Sequence, residues 1–364
     1  MSFPRIWLRL ACFFLLGLGA AGCNLADRPS AAASAGMTPT PIRQPQVSTP
    51  AVQSSSEPSL SPTASIPTLE NPTPTLQVIE PLTVLSRTPS ALTPTPCALD
   101  TTCIYTNSFL LARPIAPPGR DSIDISYRFG STQNGQRDPH HGVEFLNSTG
   151  TPVLAAADGV VVVAGDDSKA VYGLYPNFYG NLVVLRHQLS GFSQPIFTLY
   201  AHLSKVLVQT GQTVQTGDEI GLVGMTGVAT GSHLHFEVRL SENSYRASRN
   251  PELWLAPHQD ENGKLNGGLA GRVLDQYGDN LQIKNIVVDR LTETGQSQQS
   301  PIYLESYEEK RLIGLDPWGE SFALGDLAPG RYRISFVQSG MQEKEVRIYP
   351  GELTLLTIQL GSSQ

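Results

Sequence analysis

The chain has 364 residues, enough for two or three domains, and its 32 acidic side chains against 25 basic ones give a net charge of −7. That balance excludes a broad basic surface of the kind that holds nucleic acid. Hydrophobic residues make up an ordinary 40% of the chain but are unevenly spread along it.

Residues 1–23 read MSFPRIWLRLACFFLLGLGAAGC. Arg5 and Arg9 precede an apolar run from Leu10 to Leu18, and small residues then lead into Cys23, which is the layout of an export signal. The run is too short to span a bilayer comfortably. Small residues running directly into a cysteine resemble a bacterial lipobox, with Ala20 where leucine is usual. The resemblance implies lipid on Cys23 and an exported cell-envelope protein anchored to a membrane surface.

Residues 24–96 hold 14 of the 28 prolines, many Ser, Thr and Ala, and few charges. A tract with so many missing backbone donors and no periodic apolar face cannot bury a core, so a disordered tether is expected. Export also decides how the cysteines are read. Cys12 leaves with the signal and Cys23 takes lipid. The remaining pair, Cys97 and Cys103 in CALDTTC, is expected as a disulfide bracing the entrance to the first domain.

From Cys97 to Pro257, short Val- and Ile-rich runs such as YGNLVVLRHQ, QPIFTLYAHL and HLHFEVRL alternate with glycine turns. This predicts an all-β, mostly antiparallel domain over 97–257. Residues 258–268, HQDENGKLNGG, are polar and glycine-rich and read as a linker. A second β-rich block follows over 269–364. In RYRISFV, Tyr332, Ile334 and Phe336 share one face, with Arg331, Arg333 and Ser335 on the other. A small β-sandwich is expected there.

Six of the seven histidines lie in the first β domain. In TGSHLHFE, residues 230–237, strand alternation points His233, His235 and Glu237 one way, and sends Leu234 and Phe236 into a core. In HHGVEF, residues 140–145, a core-facing Val143 puts His140 and Glu144 on the open face and His141 opposite. Four extended residues span about 13 Å, so Gly142 is expected to bend the chain and let His140 and Glu144 meet. A zinc hydrolase needs three protein ligands and one position open to water. The residues alone leave open whether His233, His235 or both would ligate. His202, in YAHLS, lies just beyond a strand. His187 reads as structural, and His258 is assigned no role. Tyr172, Tyr175, Phe178, Tyr179 and the turn at 190–195 are candidates for the walls of a substrate groove.

The order and spacing of GSTQNGQRDPHHGVEF, GTPVLAAADGVVVVAG, YGNLVVLRH and TLYAHLSKVLVQTGQTVQTGDEIGLVGMTGVATGSHLHFEVR resemble the LytM/lysostaphin-type zinc metallopeptidases, which are bacterial peptidoglycan endopeptidases. The similarity covers residues 120–242. It implies one zinc ion held by His140, Glu144 and His235, with His202 and His233 as catalytic histidines that do not ligate. Glu144 stands where the family usually has aspartate. The carboxylate therefore reaches one methylene further, which zinc accepts chemically. The implied activity is hydrolysis of peptide bonds in peptidoglycan; the alternative is a non-catalytic protein that binds peptidoglycan or activates another hydrolase. GRVLDQYGDN and FALGDLAPGRYRISF resemble a carboxypeptidase-regulatory-like β-sandwich, which implies an accessory or binding module. The turns in VQTGQTVQTGDEIG also occur in biotinyl and lipoyl carrier barrels. Lys205, however, precedes those turns, and export argues against a carrier.

Overall fold

Apolar residues at alternate positions, broken by glycine turns, make the regular structure of the described residues almost all β-strand, with two short 3-10 turns. The computed structural model describes residues 97–99, 101–260, 262–307, 311–315 and 318–361. The expected export signal, the lipidated Cys23 and the tether lie outside the described residues. The first part contains β1 (Thr102–Tyr105), β2 (Val143–Leu146), β3 (Pro152–Leu154), β4 (Gly159–Asp166), β5 (Asn181–His187) and β6 (Ile196–Ala201). It continues with β7 (Lys205–Val206), β8 (Thr213–Val214), β9 (Glu219–Leu222), β10 (His233–Leu240) and β11 (Ser248–Arg249). The second part contains β12 (Gly267–Leu274), β13 (Ile286–Leu291), β14 (Ile302–Leu304), β15 (Phe322–Leu327), β16 (Gly330–Val337), β17 (Met341–Ile348) and β18 (Leu353–Gln359).

The central sheet runs β8-β4-β5-β6-β10, with β2 and β11 sharing the outer edge of β10. All its pairings are antiparallel. Both of its faces are buried. Val183, Leu185, Tyr200, Leu234 and Phe236 pack with Val143 and Phe145 on one side. Leu182, Val184, Leu199 and Ala201 pack with Tyr179 on the other. Each fully buried aliphatic or phenyl side chain contributes about 1.5–3 kcal/mol, so this sheet is the rigid element that positions β2 and β10. A small sheet, β3-β9-β7, lies beside it in the chain's order.

The C-terminal part forms two four-stranded sheets, β1-β18-β12-β15 and β14-β13-β16-β17. Leu269, Phe322, Leu324 and Ile358 from the first share one core with Ile286, Tyr332, Ile334 and Phe336 from the second. The alternation expected in RYRISFV is present, with Tyr332, Ile334 and Phe336 inward.

Two expected boundaries differ from the structure. Strand β1, assigned from sequence to the first domain, pairs with β18 instead, from Thr102 opposite Leu356 to Tyr105 opposite Leu353. Its inward residues explain why. Cys103 and Tyr105 pack against buried apolar side chains, and the Tyr105 and Trp318 rings sit 5.1 Å apart. The strand also covers an edge that β18 would otherwise leave open. Cys97 and Cys103 are joined as a disulfide, their Cα atoms 5.7 Å apart.

The stretch 258–268, read as a linker, is folded into the body. The His258 backbone N–H donates to Asp326 Oδ1 at 2.7 Å, its ring bonds Asp326, and its Nε2 lies 3.0 Å from Asp121 Oδ2. Arg113 Nη2 reaches Asp326 Oδ2 at 3.0 Å. Gln259 and Leu265 pair across the turn that follows. Residues 259, 260 and 262–265 are exposed, as their polar composition suggested, while His258 and Asn266 at the two ends bond Asp326.

Candidate metal centre

The site begins with the register of two strands. In the β2–β10 pairing, Glu144 stands directly opposite His235, and Leu146 opposite His233. Directly opposed residues put their side chains on the same face of the sheet. Glu144 and His235 are therefore neighbours by backbone geometry, while Val143 and Phe236, also opposed, face the core.

His140 precedes β2. Its backbone N–H donates to Ser131 at 3.1 Å, and its carbonyl accepts from Gly130 at 2.8 Å. These bonds turn the segment off the strand path and return its Nε2 to 2.9 Å from Glu144 Oε1. Gly142 has a different job from the one expected. Its φ is not in the left-handed region. A Cβ there would meet Phe236 O at 2.6 Å and His235 Cε1 at 2.7 Å. The glycine makes room for the His235 ring.

The donor atoms of His140, Glu144 and His235 all lie within 4.8 Å of one another, and all three residues are buried. Glu144 Oε1 is 3.0 Å from His235 Nδ1, and His140 Nε2 is 3.3 Å from that same nitrogen. Each ring is oriented from behind. His140 Nδ1 donates to the Tyr127 carbonyl at 3.0 Å, and the Tyr127 ring stacks on it with centroids 4.0 Å apart. His235 Nε2 donates to Glu237 Oε1 at 3.0 Å. Carbonyls and carboxylates accept only, so Nδ1 of His140 and Nε2 of His235 carry a proton. With an ion bound, Nε2 of His140 and Nδ1 of His235 would each be free to turn a lone pair toward it; without one, the Glu144 carboxylate can accept from them.

Three acceptors that close repel one another unless a positive charge lies between them. Glu144 Oε2 is buried without a properly angled hydrogen bond, although His233 Nε2 lies 3.2 Å away. The titration behaviour expresses the same demand. Burial pushes His235 down, but Glu144 and Glu237 outweigh it and hold the imidazolium up to about 10. Burial pushes Glu144 up, but His235 and His140 hold it well below the usual carboxylate range. Two imidazole nitrogens and one carboxylate oxygen form a donor set that suits zinc. The residues present fit such an ion.

His233 and His202 stand beside this group, their ring centroids 4.8 Å apart. His233 Nδ1 donates to the Gly231 carbonyl and His202 Nδ1 to the Thr226 carbonyl, both at 2.8 Å. Each therefore leaves Nε2 as the ring nitrogen not taken up by a backbone carbonyl. Burial, and then the His235 and His233 charges, lower His202 to about 4. His202 holds a φ of 60°, an uncommon backbone state that often marks function.

The other histidines lie apart from the metal group. His141 stacks on Tyr245 at 3.6 Å and bonds its carbonyl, and burial lowers it to about 4. His187 bonds Asp158 O and Thr198 Oγ1 at 2.8 and 2.7 Å, as a structural residue would. Behind His235, Glu237 accepts from Tyr179 Oη and, through Oε2, from Arg239 Nε at 2.7 Å. Arg239 also donates to Tyr179 Oη at 3.0 Å. Sequence reasoning placed Glu237 on the correct face but gave it no role, and it missed Tyr127 and Arg239. The signal for Arg239 was available, because the polar alternation 233, 235, 237 continues to 239.

A cleft of about 610 Å³ opens over the group. Tyr175, Phe178 and Tyr245 line it, with the segments around 137–141 and 228–233. Tyr175 and Phe178 are thus where a groove was expected. Tyr179 is instead fully buried beneath the site, and neither Tyr172 nor the turn at 190–195 borders the cleft.

Residues 138–247 match Peptidase family M23. An uncharacterized metalloprotease of Haemophilus influenzae is 44% identical over 107 residues, 29% of this chain and 20% of that protein. The peptidoglycan DD-endopeptidase ShyA of Vibrio cholerae is 43% identical over 127 residues, 33% of this chain and 26% of that protein. The chain thus spans about a quarter or less of the length of these two relatives. Among solved structures, the lysostaphin catalytic domain of Staphylococcus simulans is 34% identical, covering 31% of this chain and 76% of that one, with a TM-score of 0.26.

Proposed function

We propose, from the match of residues 138–247 to Peptidase family M23, that the chain is a zinc endopeptidase of the cell envelope that hydrolyses peptide bonds in peptidoglycan. The observation that carries the reading is the convergence of His140 Nε2, Glu144 Oε1 and His235 Nδ1 beside two histidines, His233 and His202, whose Nδ1 atoms are held by backbone carbonyls and whose Nε2 atoms are not. The glutamate in place of the family's aspartate supports the same ligand set, because its oxygen reaches both imidazoles.

Bound by His140, Glu144 and His235, one zinc ion would supply Lewis acidity toward the scissile carbonyl and toward water. The chain supplies the proton handling. His233 accepts the proton of the attacking water at Nε2, since its Nδ1–H is committed to Gly231. His202 offers a second Nε2 across the same space. A proton held on either ring can then be donated to the developing oxyanion or to the leaving amine. Tyr127 and Glu237 keep the two ligand rings from rotating. His140, Glu144, His202 and His235 are themselves buried, which strengthens each of these interactions.

The substrate assignment draws on the names of the relatives. ShyA is a peptidoglycan DD-endopeptidase, so the D,D-cross-link is the first bond to test. We also propose that the exported chain is anchored through lipid on Cys23, a reading that rests on the signal-like sequence before it. Purified protein loaded with zinc is expected to release new amino groups from cell-wall sacculi, and His235→Ala to release none. Equal release by both would discard the mechanism.

A further inference from the structure

The wall of the cleft that leads into His140 is fastened to the C-terminal sheets. The Thr132 backbone N–H donates to Glu305, and Thr132 Oγ1 lies 3.0 and 3.1 Å from the two Glu305 oxygens. Gly135 N donates to Thr132 Oγ1 at 2.9 Å, which closes the loop on itself. Arg311 pairs with Asp138 at the far end of the same loop. The loop is therefore a fixed partition. One side faces the metal centre. The other faces a second groove of about 500 Å³, between the M23 domain and the C-terminal sheets.

Ser126 and Gln133 line both spaces, so the two adjoin at the partition. The groove is mostly polar on its rims. Asn134 and Gln136 come from the loop, and Lys284, Asn285 and Tyr303 from the C-terminal part. Tyr303 is 67% exposed, and Lys284 and Asn285 are exposed as well. Carboxamides donate and accept in pairs, an ammonium adds donors, and an exposed tyrosine offers a flat apolar face. That combination matches a chain of acetamido sugars, whose hydroxyls and amides alternate with flat C–H faces.

We propose that this groove binds the glycan strand that carries the scissile peptide. The proposal rests on the peptidoglycan reading above. It gives the C-terminal part a share in substrate binding: glycan lies in the second groove, and the attached peptide passes Ser126 and Gln133 to reach the metal centre.

The test uses the full chain and the double variant Lys284→Ala, Tyr303→Ala. Both positions are exposed, so neither change removes core packing. Cosedimentation with peptide-free glycan strands is expected to show binding by the wild type, and binding weakened roughly tenfold in the variant, equivalent to about 1.4 kcal/mol. Soluble cross-linked peptides that lack glycan are expected to be cut equally by both. Undetectable strand binding by the wild type, or equal binding by both proteins, overturns the proposal. A parallel loss on glycan-free peptides also overturns it, because the groove would then be reading peptide. Strand binding is measured without cleavage, so a wild type that binds glycan and cuts nothing counts against the hydrolase reading alone.

Discussion

Glu144 and His235 stand opposite one another on adjacent antiparallel strands, and Glu144 Oε1 lies 3.0 Å from His235 Nδ1. Backbone pairing thus fixes half of the metal centre before any side chain chooses a rotamer. His140 is brought to the same oxygen by the bonds its backbone makes to Gly130 and Ser131.

Removing the shared carboxylate should remove the ion. Glu144→Gln keeps the size of the side chain but takes away the charge that sits between two imidazoles. It is expected to lose stoichiometric zinc on dialysis while its far-UV spectrum stays that of the wild type. Retained zinc at wild-type stoichiometry would show that residue 144 is not a ligand.

Glu237 acts on the metal through His235. Its two oxygens hold His235 Nε2 at 3.0 Å and Arg239 Nε at 2.7 Å, with no solvent exposure. Glu237→Gln should weaken zinc binding about 10–100-fold, the usual effect of disturbing a group that orients a metal-bound histidine. It should also destabilise the fold by about 3–5 kcal/mol, because Arg239 is left buried without its counter-charge. Competition with a chromophoric chelator measures the first effect and denaturant unfolding the second. Lower stability with unchanged affinity would assign Glu237 a structural role only.

Gly142→Ala tests the room beneath His235. The added methyl would meet Phe236 O at 2.6 Å and the His235 ring at 2.7 Å, and neither can move without disturbing the β2–β10 pairing. Overpacking of this kind costs about 1–3 kcal/mol. Zinc affinity should fall together with the melting temperature. A variant with wild-type affinity would mean the ring can shift without consequence.

The strand pattern explains which parts of the site could be read in advance. In HLHFEVR, alternation separates Leu234 and Phe236 from His233, His235 and Glu237, and the structure keeps that division. Alternation cannot say which histidine of a pair faces a ligand on another strand, because that depends on register with β2. The meeting of His140 and Glu144 was expected from a bend at Gly142, but the bend is set instead by backbone bonds from His140 to Gly130 and Ser131, which no alternation pattern shows. Strand β1 was misplaced for a similar reason. Its partner β18 lies more than two hundred residues later, and local composition carries no trace of such a pairing. Residues 258–268 were read as a linker because their polar groups suit water, and most of them are exposed; only His258 and Asn266 tie the stretch to Asp326, and His258 to Asp121, which composition could not reveal.

That polar junction has a pH signature of its own. Burial pushes the Asp326 carboxyl up, but Arg113, Asn266 and His258 outweigh it and hold it below the ordinary range. A carboxylate whose pKa is depressed on folding stabilises the native state above its unfolded value, about 3.9, and that contribution is lost as pH falls through the folded value. Asp326 has a φ of 62°, a conformation that asparagine also tolerates, so Asp326→Asn removes the charge without straining the backbone. Wild type should therefore exceed the variant in stability by a constant margin from neutral pH down to about pH 5, with the margin shrinking below about pH 4. Denaturant midpoints for the two proteins across that range measure it. A margin that does not change with pH would mean that the Asp326 charge contributes nothing to holding the junction together.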